Sequence, residues 1–342
     1  MPQNVLIEGI GAIGGVVAAK LVAAGYEPTL ITGRSATADI INDQGVTLRT
    51  PDGEQRYRAR AFASLDDLPS HERFDVAMLF MKATDVARAA TGTVAHLSPA
   101  GFVVPFQNGV VQPLVVEIVG RERVVGALLN WAATMHGPGV YEQTVHAATV
   151  IGELDGHSTS RLAELERLVS TFSRAIVTSN ITGAIWSKLA LNCAFSTVAT
   201  VVGVTISEAL RLPPARQLSL EVYREVIDTA EACGVRPEKM VLDPYSLYLP
   251  HDADEQRRRA VDVALIEADR IYGPSKPSIL QSLERGKLTE IDFITGHVAS
   301  AAERAGRSAP ANRLLTTMIH EMEQGRRSVG PANLQAYFQS LP

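Results

Sequence analysis

Cysteine is almost absent from this chain of 342 residues. Only Cys193 and Cys233 occur, far apart, without CxxC spacing or histidine-rich neighbours. That excludes a disulfide framework and a cysteine-built zinc site, so no metal is expected, and both thiols fit reduced packing residues of a cytoplasmic protein. A basic excess is lacking too: Lys and Arg number 32 against 37 Asp and Glu, for a formal net charge of −5. Neither nucleic acid nor an anionic membrane is therefore an expected partner. The sharpest charge run, HDADEQRRR at 251–259, mixes signs and reads as a solvated helix face. No stretch reads as long and apolar enough to cross a bilayer, VATVVGV at 198–204 being too short. The N-terminus matches a secretion signal only in part, because it lacks a positive start and Glu8 interrupts its apolar run. Internal repeats and low-complexity tracts are missing as well.

What is present is ordinary globular composition, 46 % hydrophobic and 20 % charged, in a chain long for one core. Two domains are expected. In the first half, apolar runs rich in β-formers alternate with helical stretches: NVLIEGI at 4–10, PTLIT at 28–32, FDVAMLFMK at 74–82, GFVVPFQNG at 101–109, RVVGALLN at 123–130 and AIVTS at 175–179. Between the first two lies VVAAKLVAAGY at 16–26, of helical composition. Such alternation predicts a parallel sheet with helices on both faces. Beyond it the chain reads as helical over 184–202, 215–234, 289–306 and 312–325. The expectation is an α/β protein with an N-terminal Rossmann-type domain over 1–179 and a C-terminal all-helical domain over 180–342, joined at Asn180-Ile181-Thr182-Gly183. A cleft between such domains is the default substrate site.

The first strand runs into Gly9-Ile10-Gly11-Ala12-Ile13-Gly14, a G-x-G-x-x-G that follows a strand and opens a helix. In that context the pattern has a mechanism. Gly9 permits the tight turn, Gly11 admits a pyrophosphate to the backbone, and Gly14 lets the helix pack close on the strand. The helix N-terminus, with Ala12 and Ile13 in its first turn, favours the anion. Gly9, Gly11, Ala12, Ile13 and Gly14 are thus expected cofactor contacts. An NAD site would place a carboxylate at the end of the second strand, but Ile31-Thr32-Gly33-Arg34-Ser35 has none. Arg34 suits a 2′-phosphate, and the expected cofactor is NADP(H).

The helical half raises a question at GAIWSKLALN, 183–192, where a lysine sits in an apolar run. A snorkelling lysine is the ordinary explanation. However, Lys188 and Asn192 share one helix face, and carbonyl reduction needs a donor to the oxygen that gains charge. A protonated lysine can be that donor. Lys82 and Gln107-Asn108-Gly109 end successive strands, where ligands of open α/β sheets collect.

In this order the chain resembles the ketopantoate reductase (2-dehydropantoate 2-reductase) family along nearly its whole length. The residues that carry the likeness are GIGAIGG at 9–15, Arg34, MK at 81–82, QNG at 107–109, WSKLALN at 186–192 and KPSILQSLERGKLTEIDFITG at 276–296. The resemblance implies NADPH-dependent reduction of a small 2-oxo acid, ketopantoate to pantoate or a close analogue. It implies Lys188 as general acid and Glu290 as its catalytic partner on the substrate hydroxyl. Asn108 would hold the nicotinamide ribose or the substrate, Asn192 and Ser278 the substrate's polar groups, and Lys82 would lie near the cofactor ribose. Three positions depart from the family pattern: Ser196 replaces a second asparagine, Ser282 an aspartate, and Asp85 a glutamine. The segment between Gly234 and Ser278 is also longer than the family's, either capping the cleft or adding a surface helix. Ser196 and Ser282 favour one rival, an NADP-dependent dehydrogenase of another carbonyl or an imine, of opine type; a second, a non-catalytic NADP-binding sensor, explains the glycines and Arg34 but leaves Lys188, Asn192 and Glu290 without a purpose. A homodimer through the helical part is compatible with the sequence, and nothing in it forces one.

Overall fold

The computed structural model describes residues 4–273 and 275–339. Its strands are β1 (Val5–Glu8), β2 (Thr29–Ile31), β3 (Val46–Thr50), β4 (Gly53–Tyr57), β5 (Arg60–Phe62), β6 (Phe74–Leu79), β7 (Leu97–Pro105), β8 (Val125–Leu129), β9 (Ala132–Gly137), β10 (Val140–Val145), β11 (Thr149–Glu153) and β12 (Ala175–Val177). Five of them form a wholly parallel sheet in the order β5-β2-β1-β6-β7. The apolar runs read as strands are these buried members; Leu6, Ile7, Val76 and Met78 are fully covered. Strand order reverses beside β1, which puts the switch point of a doubly wound sheet next to the glycine turn. β12-β11-β8 form a small third sheet. The α/β reading, Rossmann-type first and helical afterwards, holds.

Sequence patterning missed a second sheet, β4-β3-β10-β9. Its cause lies in the helix Ala12–Ala23. That helix has almost no polar face; Gly14, Gly15, Val16, Val17, Ala18, Ala19 and Leu21 are all buried. A helix apolar all round needs cover on every side. The second sheet supplies it, with Tyr141 of β10 fully buried against Gly15, where a Cβ would overlap the ring at 2.3 Å.

By internal contacts the chain divides into two compact units. One runs to Gln107 and resumes over Val111–Ile181; the other holds Asn108–Val110 and the chain from Thr182 onward. The second unit is built on helices. Its axis is the run 181–202, which is an α-helix over Ile181–Leu191, a π-helix over Asn192–Thr197 and an α-helix again over Val198–Val202. By length and apolar composition Ile181–Val202 is long enough to cross a bilayer, contrary to the expectation from sequence, but most of its apolar stretch is buried in the structure, as in the core helix of a globular unit.

Buried Glu225, 2 % exposed, fastens two further helices together. From Pro213–Ala232 it accepts the N–H groups of Ala311 (2.8 Å) and Asn312 (2.9 Å) and the Asn312 Nδ2 (2.8 Å), satisfying the start of Pro310–Glu323. The longer segment before Ser278 forms the helix Glu255–Tyr272, capped by Asp254 onto Arg257 N at 2.7 Å. Its charge run is solvated only in part: Arg258 and Arg259 are exposed, but Arg257 is half-buried and donates to the carbonyls of Tyr245 and Tyr248.

Candidate active site

In the first unit, β1 delivers the chain into the glycine turn. Gly9 has φ +96°, a left-handed conformation, and a Cβ there would sit 2.4 Å from Met81 N. Only glycine meets both conditions without strain. A Cβ on Gly14 would stand 2.3 Å from Gly9 O, so this glycine sets how closely the helix approaches the turn. By contrast, a Cβ on Gly11 would meet nothing within 4 Å. The space above Gly11 is open, and the helix beginning at Ala12 and Ile13 has no side-chain cap and no acid in its first turn. Uncapped first-turn amides beside open space fit a phosphate.

A cleft of about 600 Å³ adjoins this turn, lined among others by Gly9, Thr32, Arg34, Met81 and Asp85. Arg34 is exposed, and its guanidinium makes no ion pair among the described residues. Its backbone is fixed by Thr32, whose Oγ1 donates to Arg34 O at 2.8 Å and accepts from Arg34 N at 3.3 Å. The dinucleotide's phosphates and ribose thus fit the residues present. Lys82 lies between two lining residues and precedes a single turn, with Asp85 N donating to its carbonyl at 2.9 Å.

Sequence reasoning passed over two residues of this cleft, Glu8 and Arg88. Glu8 is 5 % exposed and accepts from Thr93 Oγ1 at 3.3 Å. Burial pushes its carboxyl upward, against the pull of Thr93 and Arg88. The signal was a carboxylate closing an apolar strand directly before Gly9.

The second unit holds Lys188, Asn192, Asn108, Ser278 and Glu290. Lys188 projects from Ile181–Leu191 and is half-buried. Desolvation lowers its pKa to about 8, although the Glu290 carboxylate acts in the opposite direction. The two groups are therefore electrostatic neighbours, and the loss of hydration outweighs their attraction. Glu290 is 8 % exposed. The helix predicted over 289–306 begins only at Thr295; Glu290 sits on a turn ahead of it, followed by the single turn Ile291–Phe293. Thr289 Oγ1 accepts Ile291 N at 3.2 Å, and Phe293 N donates to Glu290 O at 3.0 Å.

Asn108 reaches the same turn through its neighbours. Val110 N donates to Phe293 O at 2.9 Å, and Gly109, at φ +82°, lies so close that a Cβ would be 2.2 Å from that oxygen. Asn192 opens the π-helix, whose wider turn is closed by Thr197 Oγ1 donating to Asn192 O at 3.1 Å. Such segments often mark functional sites. Ser196 lies within it, half-buried. Ser278, exposed, starts the helix Ser278–Glu284, which packs on the π segment. Ser282 is buried and donates from Oγ to Ser278 O at 3.1 Å.

Comparison with known proteins gives the class first: the chain is an oxidoreductase of the kind that acts on CH–OH groups. The profile described as ketopantoate reductase PanE/ApbA matches residues 5–156, and its C-terminal counterpart matches 180–323. The chain belongs to the ketopantoate reductase family. The 2-dehydropantoate 2-reductase of Mesorhizobium japonicum is 26 % identical over 94 % of this chain and 98 % of its own. That of Archaeoglobus fulgidus is 26 % identical over 94 % and 99 %. Among solved structures, a PanE/ApbA family ketopantoate reductase from Ralstonia eutropha superposes with a TM-score of 0.79 at 25 % identity, covering 95 % of this chain and all of that one. A D-mandelate dehydrogenase solved with NADH and anilino(oxo)acetate shares the fold at a TM-score of 0.80 and 20 % identity, over 95 % and 99 %.

Proposed function

We propose that this protein reduces a small 2-oxo acid, ketopantoate or a close analogue, with NADPH. The carrying observation is Lys188: an amine on an apolar helix, brought to about 8 by desolvation and opposed by the Glu290 carboxylate. An acid is most useful when its pKa lies near the working pH. The chain's residues 1–179 would bind the cofactor and 180–342 would supply the catalytic groups. Arg34 would pair with the 2′-phosphate, the amides at Gly11, Ala12 and Ile13 would receive the pyrophosphate, and Lys82 and Asn108 would hold riboses. When bound, the cofactor supplies the hydride. Lys188 Nζ then gives a proton to the 2-oxo oxygen as it gains charge. Glu290 keeps the amine charged and accepts the substrate's hydroxyl proton in a hydrogen bond, while Asn192 and Ser278 bind other polar groups.

A different 2-oxo acid is the second reading, favoured by Ser196 and Ser282, two short hydroxyl side chains where the family pattern has longer polar ones. Each change removes reach toward a substrate polar group, the kind of contact that decides selection. The mechanism is tested by the pH dependence of kcat. Turnover should fall as pH rises through about 8, because the neutral amine has no proton of the required acidity to give. A profile level across that value would contradict Lys188 as the acid.

A further inference from the structure

We infer that His320 is a positioning residue for this reaction, clamping the turn that carries Glu290. His320 lies on Pro310–Glu323, thirty residues beyond Glu290. Its Nε2 bonds Asp292 Oδ1 at 2.8 Å, and its Nδ1 bonds Glu323 Oε2 at 2.9 Å. The second oxygen of Glu323 accepts Thr289 N at 2.7 Å. The circuit therefore closes across the turn: Thr289 and Asp292, on either side of Glu290 and Ile291, are tied to one imidazole. Removing it would release Asp292 and leave the Thr289 side held by Glu323 alone, without the imidazole that orients that carboxylate.

The geometry also fixes the charge. Ionised carboxylates only accept hydrogen bonds, so two carboxylate partners require both ring nitrogens to donate, and the ring to be imidazolium. A neutral ring can keep only one of the two bonds. Burial pulls the imidazole down, but Glu323 and Asp292 outweigh it and its pKa ends raised. Of the elements packed on the His320 helix, Pro213–Ala232 brings Glu225, bonded to Ala311 and Asn312 at the helix start, and Val198–Val202 brings no titratable group. The single turn offers Asp292, and His320's own helix offers Glu323, with Glu321 turned to Arg327 at 2.5 Å. From Thr295–Arg304 comes Thr295, bonded to Thr316 one turn before His320, while His297 meets the Trp186 ring edge-on, Glu303 pairs with Arg313 and Arg304 acts on His297.

The sign follows. The clamp is complete below the raised pKa of His320 and loosens as pH rises through it. Turnover should then fall in two steps, one with His320 and one with Lys188. The inference rests on the reductase reading, and its experiment keeps the two apart. In His320→Gln and His320→Lys, amide hydrogen exchange over 288–294 and kcat against pH are measured on the full chain, with NADPH affinity as control. His320→Gln should lose protection in the turn and lower kcat by about ten- to a hundredfold, the cost of a misplacement on the ångström scale, with NADPH affinity kept. His320→Lys, which keeps a positive charge there, should restore protection and remove the His320 step while leaving that of Lys188. Native protection in His320→Gln overturns the clamp, and lost protection with native kcat and pH profile overturns its positioning role. Lost protection in a protein that consumes no 2-oxo acid supports the clamp and counts against the proposed reductase.

Discussion

Lys188→Ala should lower turnover by roughly two to four orders of magnitude, the usual loss when a general acid is removed, while NADPH still binds. The size of the effect separates two roles for one residue. A lysine that merely covers apolar surface with its stem would cost packing and a little stability, with turnover intact. The proposed donor role is supported by desolvation, which outweighs the Glu290 attraction and brings the amine to about 8. An amine with a pKa near 8 is still mostly protonated at neutral pH, so the acid is available. Lys188→Arg sharpens the test. It keeps the positive charge but holds its proton too firmly to give it up, and it should lose nearly as much as alanine. Unchanged turnover in Lys188→Ala would remove the assignment.

Arg34→Ala should weaken NADPH binding by about ten- to a hundredfold and leave NADH binding little changed. A hydrogen bond to a charged group contributes about 1.5–3 kcal/mol, and each 1.4 kcal/mol is about a tenfold change in Kd. The substitution is well isolated from the fold. Arg34 caps the helix Ser35–Gln44 through its backbone and makes no side-chain cap bond, so alanine keeps the local geometry. Equal losses for the two cofactors, read by titration of the purified protein, would contradict a 2′-phosphate contact.

Much of the first unit was legible because it is specified locally. Buried parallel strands need continuous apolar runs, and Gly9 marks a turn that other residues enter only with strain. The second sheet was not legible. β4 reads GEQRY and is exposed along most of its length, and β9 is nearly as open, so neither shows the alternation that reveals a half-buried strand. The need for that sheet lay instead in the all-apolar helix Ala12–Ala23.

In the second unit the helical reading held, and what escaped sequence reasoning was of a different kind. The run 184–202 is helical as predicted, but the π-helix from Asn192 is a change of hydrogen-bond register with no compositional mark. Over 289–306 a helix was expected where the chain first makes a turn. What stabilises that turn, the link from Asp292 to His320, spans 28 positions. Long-range polar circuits of this kind leave no periodic trace. Lys188 drew notice in the sequence because an ammonium in an apolar run is a local contradiction, and such contradictions concentrate at functional sites; its role as the acid is the proposal tested above.

The central claim is tested most directly by NADPH consumption in the purified protein with ketopantoate, set against a panel of other 2-oxo acids with and without an amine. The account predicts saturable, NADPH-dependent turnover of a 2-oxo acid that needs no amine. Ketopantoate as the preferred member would mean that Ser196 and Ser282 are tolerated, whereas preference for another would mean that they have reshaped selection. Tight NADPH binding with no 2-oxo acid consumed, or consumption only when an amine is present, would contradict it.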